Sequence, residues 1–428
     1  NSHNWVGAIS NLEYTTDAFK FSVGVDLRNY TGYHYRALNN LMGLDAYYST
    51  GNDNSNGQFI NTTIEASPFN NTGIAGPKID YYNIGEVRWV GYNGMVEYNN
   101  GGALTAVVQA GTSSQSFQRI DYFDQAANPE SEVQTQPGGY VKGGANYNLN
   151  ENMNVFFNTG MISRQPNFDG VFPGFANDIN PDLQNETITS FELGYGYVSN
   201  NFKANVNLYS TTWGNRFITR GFTTELGDGT AQFSDIDVLH NGIEIEASWR
   251  PMADLRLKGM ASLGDWSYTK DFTATLFDEN QQQVGEGTLY LNGAKVGDAA
   301  QTVLYFEADY KVGKSVNVDL GYRFVDNLYA DYSITDNTFT SPDNAGALLL
   351  PSYGLLDAGL TFNFPIGNLD GRFRVNVNNV LDTYYIAESN SNVHVDDDTE
   401  DTWNGVDVRN YVWFGFGRTW NASFKVNF

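Results

Sequence analysis

The sequence predicts an all-β fold, a transmembrane antiparallel β-barrel, and three observations carry that expectation. Apolar and polar residues alternate with period two over segments of roughly ten residues, the pattern of a strand with one dry and one wet face. Only 17% of the 428 residues are charged while 15% are aromatic, with 27 Tyr, 28 Phe and 8 Trp. Short turns rich in Gly, Asn and Asp alternate with long polar stretches, the asymmetry of an outer-membrane barrel.

The strands can be read in order from their faces. Phe202, Ala204, Val206 and Leu208 oppose Lys203, Asn205, Asn207 and Tyr209; Ile243, Ile245, Ala247 and Trp249 oppose Glu244, Glu246, Ser248 and Arg250. Leu304, Phe306, Ala308 and Tyr310 oppose Tyr305, Glu307, Asp309 and Lys311, and Val316, Val318, Leu320 and Tyr322 oppose Asn317, Asp319, Gly321 and Arg323. Leu356, Ala358, Leu360 and Phe362 alternate with Asp357, Gly359, Thr361 and Asn363, then Phe373, Val375 and Val377 with Arg372, Arg374 and Asn376. The last fourteen residues read as a terminal strand with Phe416, Trp420, Ala422, Phe424, Val426 and Phe428 on one face, which also places Arg418 toward lipid at the outer interface, within reach of lipopolysaccharide phosphates. A soluble sandwich alternates too, but its strands usually run about five or six residues. A membrane crossing needs about 9–11, with apolar residues outward and polar ones inward. No run of about 18 apolar residues occurs, so no helix is expected to span.

Hairpin closures are expected at residues 15–17, 99–102, 148–150, 200–201, 252–254, 313–314 and 366–368. Long loops are expected at about 41–81, 124–134, 165–185, 222–231, 272–299, 335–350 and 388–406. Short turns face the periplasm in outer-membrane barrels, which puts the carboxy terminus on that side. About fifteen strands can be counted, an odd number where bacterial single-chain barrels use an even one. An edge left open in lipid costs several kcal/mol per unpaired backbone group. The chain opens Asn1-Ser2-His3 without an initiating Met or signal peptide. It therefore reads as the carboxy-terminal portion of a larger barrel, residues 1–428 being barrel throughout and further strands coming from elsewhere.

Charge and composition exclude other classes. With 24 basic against 49 acidic residues the net charge is −25, so no basic stripe is available to neutralise nucleic-acid phosphates. Cysteine is absent, which removes disulfides, thiol nucleophiles and thiolate metal sites. His3, His34, His240 and His394 lack metal-ligand spacing, and no nucleophile elbow occurs. The sequence calls for neither catalysis nor a cofactor. The acidic run Asp396, Asp397, Asp398, Glu400 and Asp401 offers the oxygens a hard cation takes; the competing reading is a solvated loop. The stretch 52–57 looks like the start of a calcium loop, but Thr63 stands where the bidentate Glu belongs. Trp213, Arg216, Phe217 and Arg220 fall where a strand meets a long loop, and Arg164, Phe168, Phe172 and Phe175 fall in another loop with Pro166 and Pro173. Aromatic rings and guanidinium donors of this kind build a ligand mouth, or else they anchor the interface and pack the loops.

Three motifs in order carry a resemblance. They are Asn180-Pro181-Asp182-Leu183-Gln184-Asn185-Glu186-Thr187 leading into Ser190-Phe191-Glu192-Leu193-Gly194-Tyr195, then Gly242-Ile243-Glu244-Ile245-Glu246, then Val375-Asn376-Val377-Asn378-Asn379-Val380-Leu381-Asp382. With the terminal aromatic Phe428, the chain resembles the barrel of TonB-dependent outer-membrane receptors, especially the Bacteroidetes type with a carboxypeptidase-regulatory-like domain. That resemblance implies a barrel of about 22 strands with a plugged lumen and TonB-driven uptake of a scarce nutrient. It implies as partners the outer-membrane lipids, the missing strands and plug, and the TonB complex reached through them; a surface lipoprotein is a candidate accessory. No plug or TonB-contacting segment is visible here. A passive porin without a plug, or a structural outer-membrane protein presenting its loops, are the alternatives.

Overall fold

A computed structural model describes residues 1–52, 54–64, 76–123, 128–224, 227–278, 282–332 and 337–427. Its main sheet has seventeen strands among the described residues. They are β1 Ser2–Thr15, β2 Phe19–Arg36, β3 Ile79–Asn99, β4 Leu104–Asp121, β5 Gln134–Asn150 and β6 Met153–Arg164. Next come β7 Glu186–Val198, β8 Phe202–Thr224, β9 Gly227–Met252, β10 Leu255–Tyr268, β11 Phe272–Asp278 and β12 Gln283–Leu289. The last five are β13 Thr302–Val312, β14 Val316–Asp326, β15 Tyr353–Ile366, β16 Leu369–Asn378 and β17 Thr419–Asn427.

The wall is an antiparallel meander. Each strand pairs with the next, except that β11 and β12 form a separate hairpin, so that β10 pairs directly with β13. That hairpin hangs on β9 where β9 overruns the wall, with Gly229–Phe233 opposite Ala274–Asp278. Fifteen wall strands remain, the number read from the alternation. β1 pairs with β2 and β17 with β16. Among the described residues β1 and β17 do not pair with each other, and the barrel is not closed.

The two faces follow the alternation. Leu208, Phe306, Leu320, Leu360, Phe373 and Phe424 stand exposed on the outer face. The other face is wet and cross-linked. Arg374 donates bidentately to Asp319 at 2.7 and 2.9 Å and to Thr361 Oγ1 at 2.9 Å, Lys258 lies 2.9 Å from Glu307, and Asn317 donates to Asp309 at 3.0 Å. These inward side chains answer one another while the outward apolar ones face away, as a sheet with lipid on one side requires.

The short turns stand close to where the composition puts them, but the loops differ from plain polar coil. Within 222–231, expected as a loop, the described residues 222–224 and 227–231 instead continue the β8–β9 ladder, from Thr224↔Gly227 to Gly221↔Thr230. Residues 272–299 contain the β11–β12 hairpin. Both regions are held by a hydrophobic core at the long-loop end, where Phe233, Ile236, Val238, Phe272, Leu291 and Phe339 are buried together. A second core joins Leu328, Leu348, Leu350, Ile386 and Val406 from the last loops. The terminal strand starts at Thr419, not Gly415, because residues 412–414 turn away to pair with 386–389. Arg418 is exposed but precedes the ladder, its backbone N–H donating to Asp382 Oδ1 at 2.7 Å. The terminal Phe428 and Asp53 lie outside the described residues.

Candidate ligand mouth

Three of the residues singled out by composition, Arg164, Trp213 and Arg216, meet at the long-loop ends of β6, β7 and β8. The local device is a bulge. In β8 the register against β9 shifts between Trp213 and Arg216 and again before Ile218. Gly214 and Asn215 supply the extra length. Asn215 takes φ 56°, a left-handed conformation that Asn tolerates better than most residues. Its N–H is satisfied by Asp237 Oδ1 at 2.9 Å. A Cβ on Gly214 would stand 2.9 Å from Thr187 Oγ1, so the close approach requires glycine. Bulges re-aim side chains, and this one presents Arg216.

Glu186 is the hub of the cluster. It accepts from Trp213 Nε1 at 3.3 Å and lies 3.3 Å from the Arg164 guanidinium. Arg216 stacks over the Trp213 ring at 4.6 Å, an attraction between cation and ring quadrupole. Arg164, Trp213 and Arg216 are thus brought together, one cation on the carboxylate and the other on the ring that donates to it. Glu186 lies within the quoted motif, but only the register shows its role.

Arg220 belongs to a different group. It pairs with Asp331 at 2.5 Å and lies over the Tyr332 ring at 5.2 Å, joining β8 to the loop after β14. Phe168 and Phe172 also stand apart from the mouth cluster. They flank the short helix Phe168–Val171, which Asn167 caps by accepting from Gly170 N–H at 2.8 Å. The loop 165–185 folds onto the inner wall, where Phe117, Val171 and Phe172 form a buried core. Phe172 is 2% exposed, so it packs the loop and has almost no surface for a ligand. Beneath the same loop lies a buried ion pair, Arg119–Asp121 at 2.8 Å, with both side chains at most 5% exposed. Nothing in the alternation marked it.

The acidic run does not converge. Among the described residues no three His, Asp or Glu side chains form a group able to hold a metal ion. Asp396 instead binds Arg409 at 2.7 Å and accepts from Asp398 N–H at 3.0 Å. Asp407 is buried against the same guanidinium at 2.6 Å and accepts from Thr399 Oγ1 at 2.6 Å. Asp401 accepts from its neighbour Thr402 N–H at 2.8 Å. The loop has its own internal cation, and Asp396, Asp397, Asp398, Glu400 and Asp401, the residues expected to take a hard cation, do not gather into one group in this geometry.

The Arg409 clasp has a pH consequence. Hydrogen bonds from Arg409 hold the carboxyls of Asp396 and Asp407 below the ordinary carboxylate range. A carboxylate whose folded pKa is depressed stabilises the fold above its unfolded value, near 4, and that contribution is lost as pH falls through the lower folded value. Amide exchange over residues 396–410 is expected to stay slow from pH 8 down to about 4 and to rise only in stronger acid. In Arg409→Met the same loop is expected to exchange fast already at neutral pH. Equal protection in both proteins would remove the clasp.

The comparisons with known proteins agree with this architecture. A family model for the TonB dependent receptor-like β-barrel matches residues 1–380. No curated protein matches the chain. Among solved structures, the siderophore receptor PiuA from Acinetobacter baumannii superposes with a TM-score of 0.65 at 14% identity, over 100% of this chain and 56% of that one. The copper transporter OprC gives 0.64 at 14% identity, over 99% and 57%. The ferric-catecholate import receptor Fiu from E. coli K12, in its closed form, gives 0.61 at 15% identity, over 99% and 55%. The chain spans about half the length of these structures, and at such identities the likeness is one of fold. Matched by the family model over most of its length, the chain belongs to the TonB dependent receptor-like β-barrel family.

Proposed function

We propose that this chain forms the wall and outer loops of an outer-membrane receptor that takes up a scarce nutrient with energy delivered through TonB. In this reading the long-loop end faces the outside and the short turns face the periplasm. The free edges of β1 and β17 are completed by further strands of the whole protein, since unpaired backbone groups in lipid cost several kcal/mol each. A plug supplied by the same protein fills the lumen. Siderophore, copper and ferric citrate receptors are among the structures of this fold, which supports nutrient uptake as the class without selecting the nutrient.

The observation that carries the reading is the Arg164–Glu186–Trp213–Arg216 cluster, set on the end of the wall whose loops are folded around their own cores. A diffusion pore has no need for a stacked, half-buried guanidinium at its mouth; a capture site does. The test is uptake by cells carrying the full-length protein, with iron and copper content as readouts. Deleting the gene and disabling TonB are expected to abolish uptake of the same nutrient, and Arg216→Ala is expected to raise its half-saturation about tenfold, the equivalent of about 1.4 kcal/mol. Uptake that needs the gene but not TonB would instead make the protein a passive pore.

A further inference from the structure

The inner wall has two sides of different chemistry. Across β9 to β16 it is a charged lattice. A cavity of about 430 Å³ near the short turns is lined by Arg250, Asp254, Arg256, Asp309, Arg372 and Arg374, and a neighbouring one of about 340 Å³ adds Glu307, Asp319 and Asp357. Ion pairs and charge-assisted hydrogen bonds tie these groups together, including Arg374–Asp319 at 2.7 Å, Lys258–Glu307 at 2.9 Å and Arg372–Asn363 at 3.1 Å.

Across β3 to β7 the wall is smooth and nearly neutral. Two cavities of about 310 and 340 Å³ share Ile162 and include Gly91, Gly111, Gly144 and Gly160 among their lining residues. Aromatic rings crowd two of these glycines. A Cβ on Gly91 would stand 2.8 Å from Trp89 Nε1, and one on Gly111 would stand 2.6 Å from the Tyr140 ring. Rings over strand glycines stabilise sheets in their own right. Here each ring also carries a cation of its own, Arg28 over Trp89 at 5.8 Å and Lys142 over Tyr140 at 5.0 Å, among amides and hydroxyls such as Asn93, Ser113 and Asn158. The charges on this side are already answered. Asp26 binds Arg28, Arg164 binds Glu186, Glu192 accepts from Asn158 at 3.2 Å, and Lys142 lies over Tyr140 at 5.0 Å.

We propose that the solute passes along the glycine-lined strip of β3 to β7, that this strip suits an uncharged, hydrogen-bonding solute, and that the charged lattice of β9 to β16 instead grips the segment filling the lumen. The inference rests on the uptake reading above. Its physical basis is the condition for passage: a path must bind well enough to admit its solute and weakly enough, at several sites, to release it. Amides and hydroxyls, beside rings already engaged by their own cations, meet that condition. A dense array of ion pairs does not, because it exacts desolvation of each charge it touches and holds a complementary polypeptide surface in register.

These 428 residues contain no cysteine, so single cysteines placed in them, in a full-length protein freed of any cysteine elsewhere, can be labelled in living cells by thiol reagents added from outside. Asn93→Cys and Asn158→Cys report the smooth strip; Asn317→Cys and Asn363→Cys report the charged lattice. With TonB active, the neutral hydroxyethyl methanethiosulfonate is expected to label the first pair at least tenfold faster than the second. It is also expected to outpace the anionic sulfonatoethyl reagent on the first pair. Equal or reversed rates between the pairs would overturn the assignment of the path, and faster labelling by the anionic reagent would overturn the solute class. Failure of the uptake reading looks different: labelling at all four positions would be unchanged when TonB is disabled.

Discussion

Asp121→Ala is expected to cost about 3–5 kcal/mol, the loss that follows when one partner of a buried ion pair is removed. Arg119 and Asp121 sit on the inner face of β4 beneath the loop 165–185, 2.8 Å apart and almost wholly shielded from water. Their other bonds bind two loops to the wall. Arg119 Nη1 donates to Asn177 Oδ1 at 2.9 Å, its backbone N–H donates to Ser131 Oγ at 2.9 Å, and Asp121 Oδ1 accepts from Phe123 N–H at 2.9 Å. Truncating Asp121 strands a guanidinium that cannot shed its charge, so the loop must open to let water in. Arg36–Asp80, at 2.7 Å but with side chains 60% and 34% exposed, is the control: Asp80→Asn, which tolerates the φ of 61° there, is expected to leave stability nearly unchanged. Urea unfolding of the full-length protein in lipid measures both, and amide exchange over 165–185 shows whether the loop is what opens. Similar small losses from both substitutions would mean that the pair beneath the loop does not hold it.

The wall was legible in the sequence because lipid enforces a period. Leu304, Phe306, Ala308 and Tyr310 must all point one way, and one misplaced residue would turn every later side chain to the wrong face. The position of the mouth was legible in part. Trp213 and Arg216 stand out by type, but their alignment depends on the bulge at Gly214-Asn215 and on Glu186, which arrives from the far end of a loop. The loops were least legible. Phe272, Leu291, Phe339 and Leu350 lie far apart in a polar background without a sustained period, and only the folded chain gathers them into cores. The surroundings of the run at 396–401 were illegible for a related reason, since its counter-charge, Arg409, lies eight residues beyond the run and meets it only because the loop doubles back.

The largest effect expected on the wall itself comes from placing charge on its outer face. Leu360 lies at the centre of the fourteen-residue β15 and is 50% exposed, and Phe306 lies near the centre of β13 at 52%. In water those exposures would be ordinary. In a bilayer they place both side chains in hydrocarbon, where an arginine on the lipid face of a barrel costs about 2–4 kcal/mol at the midplane. Leu360→Arg and Phe306→Arg are each expected to destabilise the protein by that amount when the full-length form is unfolded from lipid, and to slow its assembly in cells. Asn363 lies on the same strand but one face over, accepting from Arg372 Nε at 3.1 Å. Asn363→Asp keeps that acceptor and adds a charge the guanidinium can answer, so its cost is expected to fall within about 0.5 kcal/mol of zero. A loss at Asn363 as large as at Leu360 would reverse the faces of the wall, and with them the lumenal placement of Arg374, Asp319 and the mouth cluster.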